Sequence, residues 1–170
     1  FERLAVVDTG DCFFDPGYPA QVPEAIAQAA RDVLASDTAL LTLGGDHFIT
    51  WPLLKAHAEK HGPLSLIQID AHSDTWEDEP GRIDHGTMIW HAVREGLIVP
   101  ETSVQVGIRT HNPDPLGVHV IDAREVHLSD PRSVAGRVRD IVGDRPCYLP
   151  FDIDALDPSM APGTGTPVVG

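Results

Sequence analysis

Leu64-Ser65-Leu66-Ile67-Gln68-Ile69-Asp70-Ala71-His72-Ser73-Asp74 is a largely apolar run that ends abruptly in residues able to bind metal. The segment Leu64 to Ile69 reads as a short buried strand. Open α/β sheets collect ligands beyond the carboxyl ends of their strands, which is where Asp70, His72 and Asp74 fall. Residues i, i+2 and i+4 of an extended segment project to one side, so these three are expected to converge. The pattern recurs twice: Ala39 to Leu43 leads into Gly44-Gly45-Asp46-His47, and Tyr148 to Phe151 leads into Asp152-Ile153-Asp154. Three strand ends aimed at one rim predict a single two-metal site.

Working outward, strands are expected at Leu4 to Asp8, Ala39 to Leu43, Leu64 to Ile69, Ser103 to Gly107, Val118 to Ile121 and Cys147 to Phe151. Helices are expected at Pro23 to Ala35, Ile49 to His61, Thr87 to Glu95 and Val134 to Val142. Such alternation predicts a mostly parallel sheet covered on both faces, a three-layer αβα sandwich in one domain over residues 1–170. Pro and Gly gather at Asp11 to Pro23, Glu79 to Gly86, Asn112 to Gly117 and Asp157 to Gly170, which read as loops. Pro150 cannot donate to a ladder, so it predicts an edge or a bulge beside Asp152.

The ligand types select the metal class. Four carboxylates (Asp70, Asp74, Asp152, Asp154) and two imidazoles (His47, His72) form an oxygen-rich set suited to Mn²⁺ and less well to Mg²⁺ or a mixed site. Structural zinc fits poorly, because Cys12 and Cys147 are far apart and no paired Cys spacing exists. Two divalent cations would also offset the cost of crowding four negative charges.

Taken in order, Val7-Asp8-Thr9-Gly10-Asp11, Gly-Gly-Asp-His-Phe-Ile-Thr at 44 to 50, Asp-Ala-His-Ser-Asp-Thr at 70 to 75 and Asp-His-Gly-Thr-Met at 84 to 88 make the first half of a dense pattern. Val-Gly-Ile-Arg-Thr at 106 to 110, Phe-Asp-Ile-Asp-Ala-Leu-Asp-Pro at 151 to 158 and Ala-Pro-Gly-Thr-Gly-Thr-Pro at 161 to 167 complete it. This chain resembles the ureohydrolases, the arginase and agmatinase family, and within it the bacterial agmatinase branch. The resemblance implies the arginase-like fold and two Mn²⁺ per chain. His47, Asp70, Asp74 and Asp152 would hold one ion, His72 and Asp154 would complete the other, and Asp70 and Asp152 would bridge. It further implies attack of a bridging hydroxide on a guanidinium carbon, with Asp74 relaying a proton and His85 acting as proton shuttle. The same resemblance implies homo-oligomers, trimers or hexamers, in the cytoplasm.

Substrate choice follows from two departures from the arginase pattern. Trp76 stands where arginases place an Asn for the substrate carboxylate, and Thr110 and Asn112 stand where Asp residues reach the α-amino group. A site without those partners disfavours arginine. Agmatine is expected, with 4-guanidinobutyrate next; Trp76 is a candidate pocket wall and Thr166 a candidate contact to the guanidinium region. His111, just beyond a strand, is a further rim residue, whereas His57, His61, His91, His119 and His127 read as ordinary surface or hydrogen-bonded histidines. Family members run on for roughly a hundred residues more, within the size of one large domain, and that tail carries a Glu that receives the guanidinium. An internal portion of an enzyme is therefore expected. A metal-dependent deacetylase and a non-catalytic metal-binding fragment are the competing readings.

Composition sets the outer bounds. A chain of 170 residues with 42% hydrophobic content is globular in kind, and no run approaches the roughly 18 apolar residues of a membrane span. The formal charge of −14 argues against nucleic acid and anionic membrane surfaces, and suits a small cationic guanidino substrate. Two cysteines make no disulfide framework.

Overall fold

Four parallel strands carry the site. The structure is a computed structural model that describes residues 5–79, 82 and 84–170. Strands β1 (Ser65–Ile69), β2 (Val104–Ile108), β3 (His119–Asp122) and β4 (Cys147–Tyr148) form one sheet in the order β3-β2-β1-β4. Every pairing is parallel, with Ile67 opposite Val104, Val106 opposite Ile121 and Leu66 opposite Tyr148. Parallel neighbours need a crossover between them; α3 lies in the one from β1 to β2, whereas residues 109–118 join β2 to β3 without a helix.

The helices are α1 (Val22–Leu34), α2 (Thr50–His61), α3 (Met88–Arg94), α4 (Ala123–Leu128) and α5 (Pro131–Val142). In α1, Ile26, Ala27, Ala30 and Leu34 repeat at helical spacing and form a buried stripe against Leu53 and Ala56 of α2. Leu54 turns the other way, into a core with Leu66 of β1 and Met88, Ile89 and Ala92 of α3. On the opposite sheet face, Val104 and Ile121 pack beneath Val134, Val138, Ile141 and Val142 of α5. Helices thus cover both faces of the sheet, giving the expected three layers. Helix α5 starts where the chain dictates: Pro131 occupies its first turn, and the Asp130 carboxylate accepts from the N–H groups of Arg132 and Ser133.

Two expected strands do not form. Of Leu4 to Asp8, Leu4 lies outside the described residues, and residues 5–8 pair with no strand among the described residues. Ala39 to Leu43 is also unpaired, with Leu41 83% and Leu43 89% exposed. An apolar run becomes a strand only beside a hydrogen-bonding neighbour. Ala39 to Leu43 instead faces the β4 edge across a groove of about 920 Å³, lined on its far side by residues 146–153. Strand β4 is shorter than expected. Past Tyr148 only Phe151 bridges to Ile69, and Pro150 sits on this sheet edge with its carbonyl accepting from Ile69 N–H at 3.1 Å. Helix α4 was not expected; its signal is Asp122, which accepts from Glu125 N–H at 2.7 Å as an N-cap. Of the loop expected at Glu79 to Gly86, Pro80, Gly81 and Ile83 lie outside the described residues.

Candidate metal centre

Each arm of the site begins with an aspartate that folds its own loop. The Asp46 carboxylate accepts from Phe48 N–H at 2.9 Å, Asp70 from His72 N–H at 2.7 Å, and Asp152 from Asp154 N–H at 2.9 Å. An Asp side chain bonded to the backbone two residues on is a turn former, so the shared Asp-x-(His/Asp/Phe) pattern is partly a folding instruction. It corrects one expectation. Asp70, His72 and Asp74 meet through a turned loop, with Asp74 in the left-handed region at φ 51°, and not through strand alternation. Gly107 permits this packing: its φ is +96°, and a Cβ there would lie 3.1 Å from the Asp70 carbonyl oxygen.

All six expected ligand residues come together. His47 Nδ1 lies 2.9 Å from Asp70 Oδ2, 3.0 Å from Asp74 Oδ2 and 3.1 Å from Asp152 Oδ2. His72 Nδ1 lies 2.9 Å from Asp154 Oδ2 and 3.7 Å from Asp70 Oδ1. Two groups result, His47–Asp70–Asp152 and Asp70–His72–Asp154; Asp70 belongs to both, whereas Asp152, also expected to bridge, belongs to the first alone. Both ring nitrogens of His47 are buried, yet neither makes a hydrogen bond, although three carboxylates stand close to Nδ1. Donor atoms at such separations are what cation ligands look like. Ligands about 2.1 Å from an octahedral ion stand about 3.0 Å apart at right angles. The residues present therefore fit a metal-binding site.

The electrostatics agree. Burial lowers the His47 pKa, but contacts with Asp152, Asp70 and Asp74 outweigh it and push it up to about 11. Asp154 and then Asp70 raise His72 to about 10, against a smaller effect of burial. Burial pushes Asp70 up, but His47 and His72 hold it well below the usual carboxylate range. Asp74 rises to about 6, mainly through burial with the Asp70 charge adding to it, while His47 acts in the opposite direction. This ring demands positive charge, and a divalent cation entering it competes with protons on the imidazoles.

Around the ring, His85 Nδ1 pairs with Asp46 Oδ2 at 2.9 Å, and that bond raises the His85 pKa. Asp46 thereby joins His85 to the turn that carries His47. Trp76 is half exposed, and its backbone N–H donates to the Gly86 carbonyl at 3.1 Å. Trp76 and His85 thus neighbour each other on the rim. The Thr166 hydroxyl donates to Asp154 Oδ2 at 3.1 Å, so this residue touches the ring itself. The His111 ring makes no hydrogen bond among the described residues, and no ligand role attaches to it.

Sequence reading missed three supports. Arg109 donates to the carbonyls of Asp154 at 2.7 Å, Ala155 at 3.1 Å and Val168 at 2.8 Å, fixing the last arm. Asp78, its side chain buried, accepts from Thr87 Oγ1 at 2.8 Å and pairs with His91 Nε2 at 2.9 Å, closing the base of the loop that presents His85. Gln68 and Gln105 are fully buried behind Asp70. Only Arg109 carried a signal, through its place in Val106 to Thr110.

A parallel sheet with two His-carboxylate groups at its carboxyl rim defines a metallohydrolase-like architecture, and the comparisons make it specific. The arginase family model matches residues 1–170, and the chain belongs to that family. It is 54% identical over 172 residues to an agmatinase of Chromobacterium violaceum, covering 100% of this chain and 53% of that protein. A crystal structure of a hypothetical agmatinase from Burkholderia thailandensis superimposes with a TM-score of 0.98 at 58% identity, covering 100% of this chain and 54% of that one. Proclavaminate amidino hydrolase from Streptomyces clavuligerus follows with a TM-score of 0.92 at 41% identity, covering 96% and 57%. The chain spans about half the length of the relatives it matches.

Proposed function

We propose that this chain carries the metal-binding half of a manganese-dependent amidinohydrolase that cleaves agmatine to urea and putrescine. The observation that carries the reading is the pair of ligand groups sharing Asp70. His47, Asp70, Asp74 and Asp152 would hold one Mn²⁺, and His72 and Asp154, with the shared carboxylate, the other. Cations held there would lower the pKa of bound water and so supply a nucleophile at neutral pH.

The chain's own residues do the rest. Asp74, whose Oδ2 stands 3.0 Å from His47 Nδ1 within the ring, is placed to take a proton and pass it towards the departing nitrogen. His85, half exposed and held by Asp46, exchanges protons between the pocket and solvent. Trp76 on the rim offers an aromatic wall to a cationic guanidino substrate, a favourable cation–π surface. The net charge of −14 steers such a substrate inward. 4-Guanidinobutyrate is the second substrate, since the pocket lacks the arginase partners for an α-amino acid. A deacetylase reading is weaker, because single-zinc sites need fewer carboxylates than converge here. Cytoplasmic residence and assembly of the full-length enzyme into trimers or hexamers belong to the same proposal. Among the described residues no helix is long and apolar enough to cross a membrane.

The test is competitive turnover of the Mn²⁺-loaded protein with agmatine, 4-guanidinobutyrate and acetylated lysine. Urea from agmatine in preference to 4-guanidinobutyrate supports the reading. Acetate release without urea contradicts it.

A further inference from the structure

Behind the metal-facing ring lies a second polar layer that neither the proposed reaction nor the ligand set uses. Gln68 on β1 and Gln105 on β2 are register partners in the sheet, and both are 0% exposed. Two neutral amides sealed in a parallel sheet are costly unless their donors find partners, since burial removes the water that would otherwise satisfy them. Here three of the four N–H donors reach one loop, and the fourth joins the two amides. Gln105 Nε2 donates to Gln68 Oε1 at 2.8 Å and to the Ser73 carbonyl. Gln68 Nε2 in turn donates to Asp70 Oδ2 at 2.7 Å and to the His72 carbonyl at 3.2 Å. The price is visible in Gln105 Oε1, which is buried without a partner.

We infer that Gln105 and Gln68 form a two-step amide relay that positions Asp70, the carboxylate common to both ligand groups, and thereby sets metal affinity. This rests on the metal reading of the ring. The relay acts on two elements at once. One bond fixes the Asp70 oxygen that also stands 2.9 Å from His47 Nδ1. The bonds to the His72 and Ser73 carbonyls hold the backbone immediately before Asp74, where it turns through φ 51°. Orientation matters along the chain of amides: because Gln105 donates to the Gln68 carbonyl oxygen, the Gln68 nitrogen must face Asp70. Gln105 therefore sets which end of Gln68 meets the carboxylate, although it touches no ligand side chain itself. Both are positioning residues.

The test is Mn²⁺ binding by calorimetry, with metal-free melting recorded in parallel, for the protein and for Gln68→Met, Gln105→Met and the double variant. Methionine keeps length and volume and removes the amide. Partners behind metal ligands are worth 10–100-fold in affinity, so Gln68→Met should weaken Mn²⁺ binding about tenfold or more, and Gln105→Met by several-fold. The double variant should lose no more than Gln68→Met alone, because Gln105 acts through Gln68. Unchanged Mn²⁺ affinity in both single variants, with only the metal-free melting temperature lowered, overturns the relay, as do losses that multiply in the double variant. No Mn²⁺ uptake by the unsubstituted protein overturns the metal reading itself. If the methionine variants do not fold, the unsubstituted protein decides. Titration with diamagnetic Mg²⁺ should shift the side-chain amide signals of Gln68 and Gln105 together, and a shift at Gln68 with none at Gln105 overturns the relay.

Discussion

Asp70→Asn tests how the two ligand groups are joined. The substitution keeps the side chain's shape and removes one charge where both groups meet. Asp70 accepts from His72 N–H through Oδ1 and from Gln68 Nε2 through Oδ2, each at 2.7 Å. An asparagine has one acceptor oxygen, so its NH₂ must face one of these donors. That forfeits a hydrogen bond to a charged group, about 1.5–3 kcal/mol. Removing one partner from a buried charge cluster costs about 3–5 kcal/mol, and at 1.4 kcal/mol per tenfold, binding of both Mn²⁺ ions should weaken by at least about a hundredfold. Asp154 belongs to one group only, so Asp154→Asn should weaken one binding step and spare the other. Calorimetry with Mn²⁺, backed by metal content after gel filtration, separates these outcomes. If Asp70→Asn retains both ions at the original affinity, or if the two variants lose metal identically, the shared-carboxylate reasoning is refuted.

Three other outcomes are expected. The His85 pKa should titrate above the ordinary histidine value, and Asp46→Asn should bring it down; an unchanged NMR titration midpoint in the variant would show that Asp46 does not hold the ring. Asp78→Ala strands the His91 N–H and leaves the Thr87 hydroxyl only the Asp84 carbonyl, at 3.0 Å, so denaturant unfolding should show a loss of about 1–3 kcal/mol. Burial pushes the Asp78 carboxyl up but His91 and Thr87 hold it low, so its stabilisation is present above the unfolded pKa and fades as pH falls through the folded value; the variant's deficit should shrink in acid. Finally, the unpaired segment Ala39 to Leu43 and the exposed Leu149 and Phe151 make an open edge, so the 170-residue chain should self-associate and Leu43→Lys should reduce it; light scattering that finds the same monomer for both would contradict this.

Much of this architecture was legible because apolar runs and ligand motifs coincide. Leu64 to Ile69 became β1 and Pro23 to Ala35 became α1 almost to the residue, since each has one buried face and a clear terminus. The convergence of His47, Asp70, His72, Asp74, Asp152 and Asp154 was readable for the same reason: each follows an apolar segment and carries a donor. Ala39 to Leu43 shows the limit. Its composition is right for a strand, but pairing depends on a neighbour that local sequence does not specify. Helix α4 is too short for its periodicity to stand out, and only the Asp122 cap marks it. The supports behind the site were hidden differently. Gln68 sits inside an otherwise apolar run, and Asp78 and His91 are separated in sequence by the whole loop whose base they close. Nothing in spacing reveals a bond made across elements.

The central claim is that two cations occupy one ring and share Asp70. Anomalous diffraction at the manganese edge, from crystals of the protein grown with Mn²⁺, tests it most directly. Two peaks are predicted, one against His47, Asp74 and Asp152 and one against His72 and Asp154, with Asp70 reaching both. A single peak, or none at the ring, would contradict the account.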